Sequence, residues 1–288
     1  MAASCCIDGV EMDAKMTSFP LKTATADGLA LAYRENGSGA AVVFLHGIGS
    51  SSEGWTAQLA EFGRSHRAIA WDAPGYGGSG DLVPLAPAAS DYAAALAGLL
   101  DALGIGVVTL VANSLGALMV AAFVKHHPGR VRAMVLSDAA AGHGRLSEEA
   151  RNEKLMARLD AVAELGPAGM AQSRGPKLLG SKAPVGARNA VIRVMSKIRP
   201  KGYGQAARML ALADIFQDLA GCRAPTLVVC GSEDRVTPPD SNRAIAAAIP
   251  GARFELIEGA GHVPYVEAPE KFNSLVGAFL AENAGVPA

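Results

Sequence analysis

With 288 residues, half of them apolar and 18% charged, the chain can bury a large core and is too hydrophobic to be disordered. A formal net charge of −1 offers no global positive field of the kind that nucleic-acid binding requires. Four cysteines, Cys5, Cys6, Cys222 and Cys230, are too few for a disulfide scaffold and include no CxxC pair of zinc-site spacing, so a reducing, cytoplasmic setting is expected.

In chain order, residues 1–18 read as a flexible leader. No Lys or Arg precedes Lys15 and no continuous apolar run follows, so a secretory signal is not expected. Thr23 to Arg34 carries Asp27-Gly28 between two short runs and reads as a hairpin. Ala41 to His46 is an apolar run that stops at Gly47, as a strand buried on both faces does. Ser51 or Ser52 caps a helix to about Phe62, and His66 to Trp71 is the next strand. Ser90 or Asp91 caps an Ala/Leu-rich helix to Leu103.

Ala102 to Val124 is 23 positions without a charge, long enough to cross a bilayer. The β-branched run Val107 to Ala112, the Asn113-Ser114 interruption and the apolar run to His127 instead predict a buried strand, a sharp turn and a buried helix, with no membrane span. Strands follow at Val131 to Ser137, Pro225 to Cys230 and Arg253 to Ile257, with helices at Asp240 to Ile249 and from about Glu267 to Glu282. This alternation predicts an α/β fold with a mostly parallel sheet and helices on both faces. Ligands in such sheets bind at the carboxyl ends of the strands.

From 139 to 220 the rhythm stops. No strand is evident and Gly/Pro pairs divide helical stretches, so 139–220 is expected to be a helical lid inserted after the sixth strand, with 19–138 and 221–288 as the core. Ala139 to Leu210 holds 13 Lys and Arg against 5 Asp and Glu, a local +8 that leaves −9 elsewhere. That excess either attracts an anionic small-molecule substrate or forms a solvated basic face paired with the acidic body.

Three reactive side chains fall at the predicted carboxyl edge. Ala112-Asn113-Ser114-Leu115-Gly116 joins strand to helix, the setting of a nucleophile elbow, although Ala112 stands where glycine is usual. Asp234, in Gly231-Ser-Glu-Asp-Arg-Val-Thr-Pro238, and His262, in Gly259-Ala-Gly-His262, each follow a strand. Asp138 follows the strand ending at Ser137 and is the alternative acid. Serine needs a neighbouring base to attack at neutral pH, and histidine needs an orienting carboxylate. The Gly75, Gly77, Gly78 cluster lacks the Lys-Ser/Thr ending of a phosphate loop, and no motif implies a metal, nucleotide or other cofactor.

His46-Gly-Ile-Gly49, Asp72-Ala-Pro-Gly-Tyr-Gly-Gly-Ser79, Asn113-Ser-Leu-Gly116, Gly231-Ser-Glu-Asp234 and Gly261-His-Val-Pro-Tyr-Val-Glu267 together resemble the α/β-hydrolase family. The likeness is to its lidded, cofactor-free members: carboxylesterases, enol-lactone hydrolases and carbon–carbon bond hydrolases. The resemblance implies a serine hydrolase with Ser114 as nucleophile, His262 as base and Asp234 as acid. It also implies an oxyanion hole from the backbone N–H groups of Ile48 and Leu115, with His46 and Gly47 shaping the loop. A small ester or lactone is the first substrate class, a meta-cleavage-type carbon–carbon substrate the second, and a ligand-binding receptor with weak hydrolysis the non-enzyme alternative. Acyl-chain length, stereopreference and oligomeric state are left open.

Overall fold

The computed structural model describes residues 19–285, so the leader expected at 1–18 lies outside the described residues. The strands are β1 Lys22–Ala26, β2 Leu29–Asn36, β3 Ala41–Leu45, β4 Arg67–Trp71, β5 Val108–Asn113, β6 Val131–Ser137, β7 Thr226–Gly231 and β8 Arg253–Ile257. The helices are α1 Thr56–Phe62, α2 Ala89–Ala102, α3 Leu115–His126, α4 Glu148–Arg174, α5 Val185–Met195, α6 Pro200–Leu212, α7 Ile215–Asp218, α8 Pro239–Ala247, α9 Pro264–Glu267 and α10 Pro269–Glu282.

One sheet runs β1-β2-β4-β3-β5-β6-β7-β8. The β1–β2 and β2–β4 pairs are antiparallel, and every pair from β4 to β8 is parallel. The β1–β2 hairpin turns on Asp27 and Gly28, both at positive φ (49° and 79°), as a two-residue turn of this twist demands. Alternate side chains of β3 serve the two faces. Val43 and Leu45 pack with α2, α3 and α8, whereas Val42 and Phe44 pack with Trp55, Phe62 and the α10 residues Phe272 and Phe279.

Helix α3 is buried from Leu115 to Val124, which accounts for the uncharged stretch that ends there. Among the described residues, no helix is long and apolar enough to cross a membrane. Two boundaries differ from expectation. Helix α2 starts at Ala89 behind Ala88, which has no side-chain acceptor, and Asp91 reaches back to take the Ala88 N–H at 2.7 Å. Pro269 has no N–H to continue a helix, so the last helical stretch divides at Ala268 into α9 and α10.

Between β6 and β7 the regular structure is helical, α4 to α7 with a short 3₁₀ turn at Gly175–Leu178. Helix α4 breaks at Gly166 (φ 61°), just before Pro167. The insertion meets the sheet's carboxyl edge at close range: a Cβ on Gly202 would lie 1.9 Å from the carbonyl oxygen of Gly75, and one on Gly180 2.2 Å from that of Gly259.

Candidate active site

Ser114 occupies the turn between β5 and α3 at φ 52°, ψ −115°, a conformation costly for a residue with a Cβ. Backbone bonds hold it there. Its N–H donates to Ser137 O (3.0 Å), and its carbonyl accepts from Ala117 (3.0 Å) and Ala140 (3.2 Å). A Cβ on Gly116 would lie 2.6 Å from Leu45 O, so glycine is required there. Ala112, by contrast, is fully buried between Leu45 of β3 and Leu136 of β6, and its methyl fits in that core.

The loop after β3 faces this turn. His46 is fully buried and does not line the cavity; it accepts from Ala73 N–H at Nε2 (3.0 Å), which leaves Nδ1 to donate to Gly47 O (2.8 Å). Burial lowers its pKa and keeps the ring neutral. Tyr76 donates to Ile48 O at 2.9 Å, and Ser50 N–H to Gly47 O at 3.1 Å. Among the described residues, no protein acceptor takes the N–H of Ile48 or of Leu115, and both residues line the same cavity as Ser114.

His262 lies on the loop after β8, its N–H donating to Leu178 O at 2.7 Å. Its Nδ1 lies 2.9 Å from Asp234 Oδ2, a bond between nearly fully buried side chains. Asp234 also accepts from Val236 N–H (2.7 Å), Thr237 N–H (3.2 Å) and Thr237 Oγ1 (2.7 Å). Burial would raise its pKa, but the bond to His262 and the charge there, with Thr237 and Val236, hold it at about 2. Among the described residues no hydrogen bond joins Ser114 Oγ to His262, although both line one cavity.

Asp138 also lies at the sheet's carboxyl edge, but its carboxylate faces Ser137 Oγ (2.6 Å) and Gly231 N–H (2.9 Å), and His262 is bonded to Asp234. Burial and the neighbouring Asp234 push Asp138 well above the usual carboxylate range. The two acids are thereby driven in opposite directions, Asp138 towards its protonated form and Asp234 towards its ionised one. Asp138, Cys230 and Asp234 bring ligand-type atoms within 4.8 Å of one another. All four carboxylate oxygens already accept hydrogen bonds and burial pushes the Cys230 thiol up, so the trio is engaged with protein donors and is not arranged as a cation site.

Three supporting residues escape a sequence reading. Asn113 donates its amide to His262 O (3.0 Å) and Ser137 O (3.3 Å). Thr237 Oγ1 lies between Asp138 O (2.8 Å), Asp234 Oδ2 and His262 Nδ1 (3.2 Å). Glu267 accepts from Gly180 N–H (2.7 Å) with one carboxylate oxygen and from Gly261 N–H (3.0 Å) with the other, tying the insertion to the His262 loop. Their only signal in the sequence is nearness to the motif residues.

A cavity of about 860 Å³ joins these parts. Ser114, His262, Ile48 and Leu115 form its floor, and Met170, Val191, Val194, Met195 and Leu210 of the insertion are among its apolar walls. A site of this size and lining suits a small organic substrate.

A family model described as alpha/beta hydrolase fold matches residues 40–269. The 2-hydroxy-6-oxononadienedioate/2-hydroxy-6-oxononatrienedioate hydrolase 2 of Pseudomonas putida is 30% identical over 282 residues, covering 88% of this chain and 92% of that protein. A thermophilic esterase from Thermogutta terrifontis superposes with a TM-score of 0.83 at 27% identity, over 91% of this chain and 98% of that one. The enol-lactonase from Burkholderia xenovorans LB400 shares the fold, with a TM-score of 0.81 at 24% identity over 90% and 100% of the two chains.

Proposed function

The chain belongs to the α/β-hydrolase fold family and is a hydrolase, and from that premise we propose that it cleaves a small carboxylic ester or lactone through an acyl-enzyme on Ser114. One observation carries this reading: a strained serine, two backbone N–H groups without protein acceptors and a carboxylate-bound histidine line a single cavity. In this reading His262 Nε2 takes the Ser114 proton as Oγ attacks the carbonyl carbon, and the ionised Asp234 stabilises the imidazolium without itself taking a proton. The Ile48 and Leu115 N–H groups receive the developing oxyanion, where one such donor is worth about 10²–10³ in turnover. His262 then returns the proton to the leaving oxygen, and water repeats the sequence on the acyl-enzyme. Hydrogen bonds of the Ser114–His262 kind commonly close only with substrate bound.

The proposal extends to domains and setting. Residues 139–220 act as a lid over a core of 19–138 and 221–288, and two buried free thiols, Cys222 and Cys230, fit work in the cytoplasm.

Intact-mass analysis after fluorophosphonate treatment tests the nucleophile. One adduct on the wild type that Ser114→Ala lacks supports the reading, and no adduct on folded wild type overturns it. The similarity to the Pseudomonas putida hydrolase, named for dienedioate substrates, favours a second reading: carbon–carbon cleavage of a vinylogous diketone on the same residues. Fast turnover of such a diketone with slow turnover of simple esters would select it.

A further inference from the structure

Two groups of cations stand out in the basic insertion. Arg145 pairs with Asp214, Arg193 and Lys197 share Glu53, and Arg199 and Lys201 share Asp81, so these five each have an acidic partner at the surface. Arg158, Arg174 and Lys177 line the cavity and have no acidic partner among the described residues. Among the described residues Glu53 is the only acid lining that cavity, and it is already bound to Arg193 and Lys197.

Arg158 and Arg174 are half-buried and Lys177 is exposed. In a straight helix, sixteen residues would set Arg158 and Arg174 about 24 Å apart and on nearly opposite faces. The break at Gly166 re-aims α4 so that both face one cavity. His143 lines the same cavity; burial, with Arg158 and Lys154, holds it at about 4, so it adds a neutral hydrogen-bonding group beside Arg158. A half-buried guanidinium without a counter-charge is open to an anionic partner, and its planar fork matches a carboxylate with two parallel hydrogen bonds.

We propose that the cavity takes a substrate bearing a carboxylate remote from the scissile carbonyl, anchored by Arg158, with Arg174 and Lys177 supplying the surrounding positive field. The inference rests on the Ser114 hydrolase reading for its catalytic test but not for its binding test.

Monomethyl adipate and methyl hexanoate differ in a terminal carboxylate against a methyl group. Wild type is expected to favour the acid in kcat/KM by at least about tenfold at low salt. That ratio falls by at least about tenfold in Arg158→Gln, through KM, is partly restored in Arg158→Lys, and shrinks with rising salt. Equal rates on the two esters, or an unchanged ratio in Arg158→Gln, would overturn the anchor. Adipate binding to Ser114→Ala, measured by calorimetry, judges the site without turnover: binding lost in Ser114→Ala/Arg158→Gln supports it, and no binding to Ser114→Ala overturns it. If neither ester is cleaved while adipate binds, the ester reading fails and the anion site stands.

Discussion

Asn113, immediately before the elbow serine, donates its side-chain amide to the backbone carbonyl of His262 across 3.0 Å. The bond ties the Ser114 turn to the His262 loop although they are far apart in sequence. Both residues are buried, so removing the donor leaves a buried carbonyl unpaired at a cost of about 1–3 kcal/mol. Asn113→Ala is expected to lower kcat by about 10–100-fold with a much smaller change in KM, because it displaces His262 without touching the apolar walls. Asn113→Asp, which sets a carboxylate oxygen against that carbonyl, falls at least as far. Steady-state kinetics on an ester that the wild type cleaves checks both, and a pure KM effect would argue against the positioning role.

The two buried acids make opposite predictions. Asp234, at about 2 against about 3.9 for an unfolded aspartate, adds stability that is present above about pH 4 and lost as pH falls through 2. That contribution is about 2–3 kcal/mol. Asp138, raised well above its ordinary value, holds its proton longer in the folded than in the unfolded chain, so stability falls as pH rises from 4 towards its folded pKa. Asp138→Asn therefore flattens the decline in urea midpoint as pH rises above 4 and keeps kcat/KM within about tenfold of wild type. Asp234→Asn loses about 10⁴ in kcat, because an amide acceptor cannot stabilise the imidazolium. A comparable loss in both variants would mean that Asp138 is ionised and acts on His262.

Gly47 tests how closely the oxyanion loop approaches the elbow. A Cβ there would lie 3.0 Å from Asn113 Oδ1 and 3.1 Å from Ser114 Cβ, so the loop and turn must part by a few tenths of an ångström. Gly47→Ala is expected to cost about 1–3 kcal/mol of stability by overpacking. Under the proposed mechanism it should also lower kcat by about tenfold or more, as the Ile48 N–H moves off the position proposed for the oxyanion. Fluorophosphonate labelling slowed in parallel would trace the loss to the acylation step.

The strands and the elbow turn were legible because they are local. The Val107–Ala112 run, its interruption at Asn113-Ser114 and the glycine at 116 act within one strand–turn–helix unit. Resemblance favours Asp234 over Asp138, but position along the chain does not separate them, since both follow strands at the same edge; the Val236 and Thr237 N–H groups that bind Asp234 come from the folded loop. Nor could the sequence show which lid cations meet the cavity. The direction of α4 changes at Gly166, and the acids that pair with Arg145, Arg193, Lys197, Arg199 and Lys201 lie far from them in sequence, at Asp214, Glu53 and Asp81.

Glu267 joins the helical insertion to the histidine loop through Gly180 and Gly261. Both N–H groups are buried with it, and a Cβ on Gly261 would lie 2.5 Å from Leu178 O, so no side chain can slip in to replace the acceptor. Glu267→Gln keeps one acceptor oxygen and turns an NH₂ group against the other N–H. The expected loss is about 2–3 kcal/mol, about 3–5 °C in Tm for a chain of this size. Hydrogen exchange should quicken together at Gly180 and Gly261 in this variant, because one carboxylate closes both amides. Faster exchange at Gly261 alone would mean that the insertion is held by its other contacts, the Ser181–Glu233 pair and the Leu178–His262 bond, and that Glu267 serves only the histidine loop.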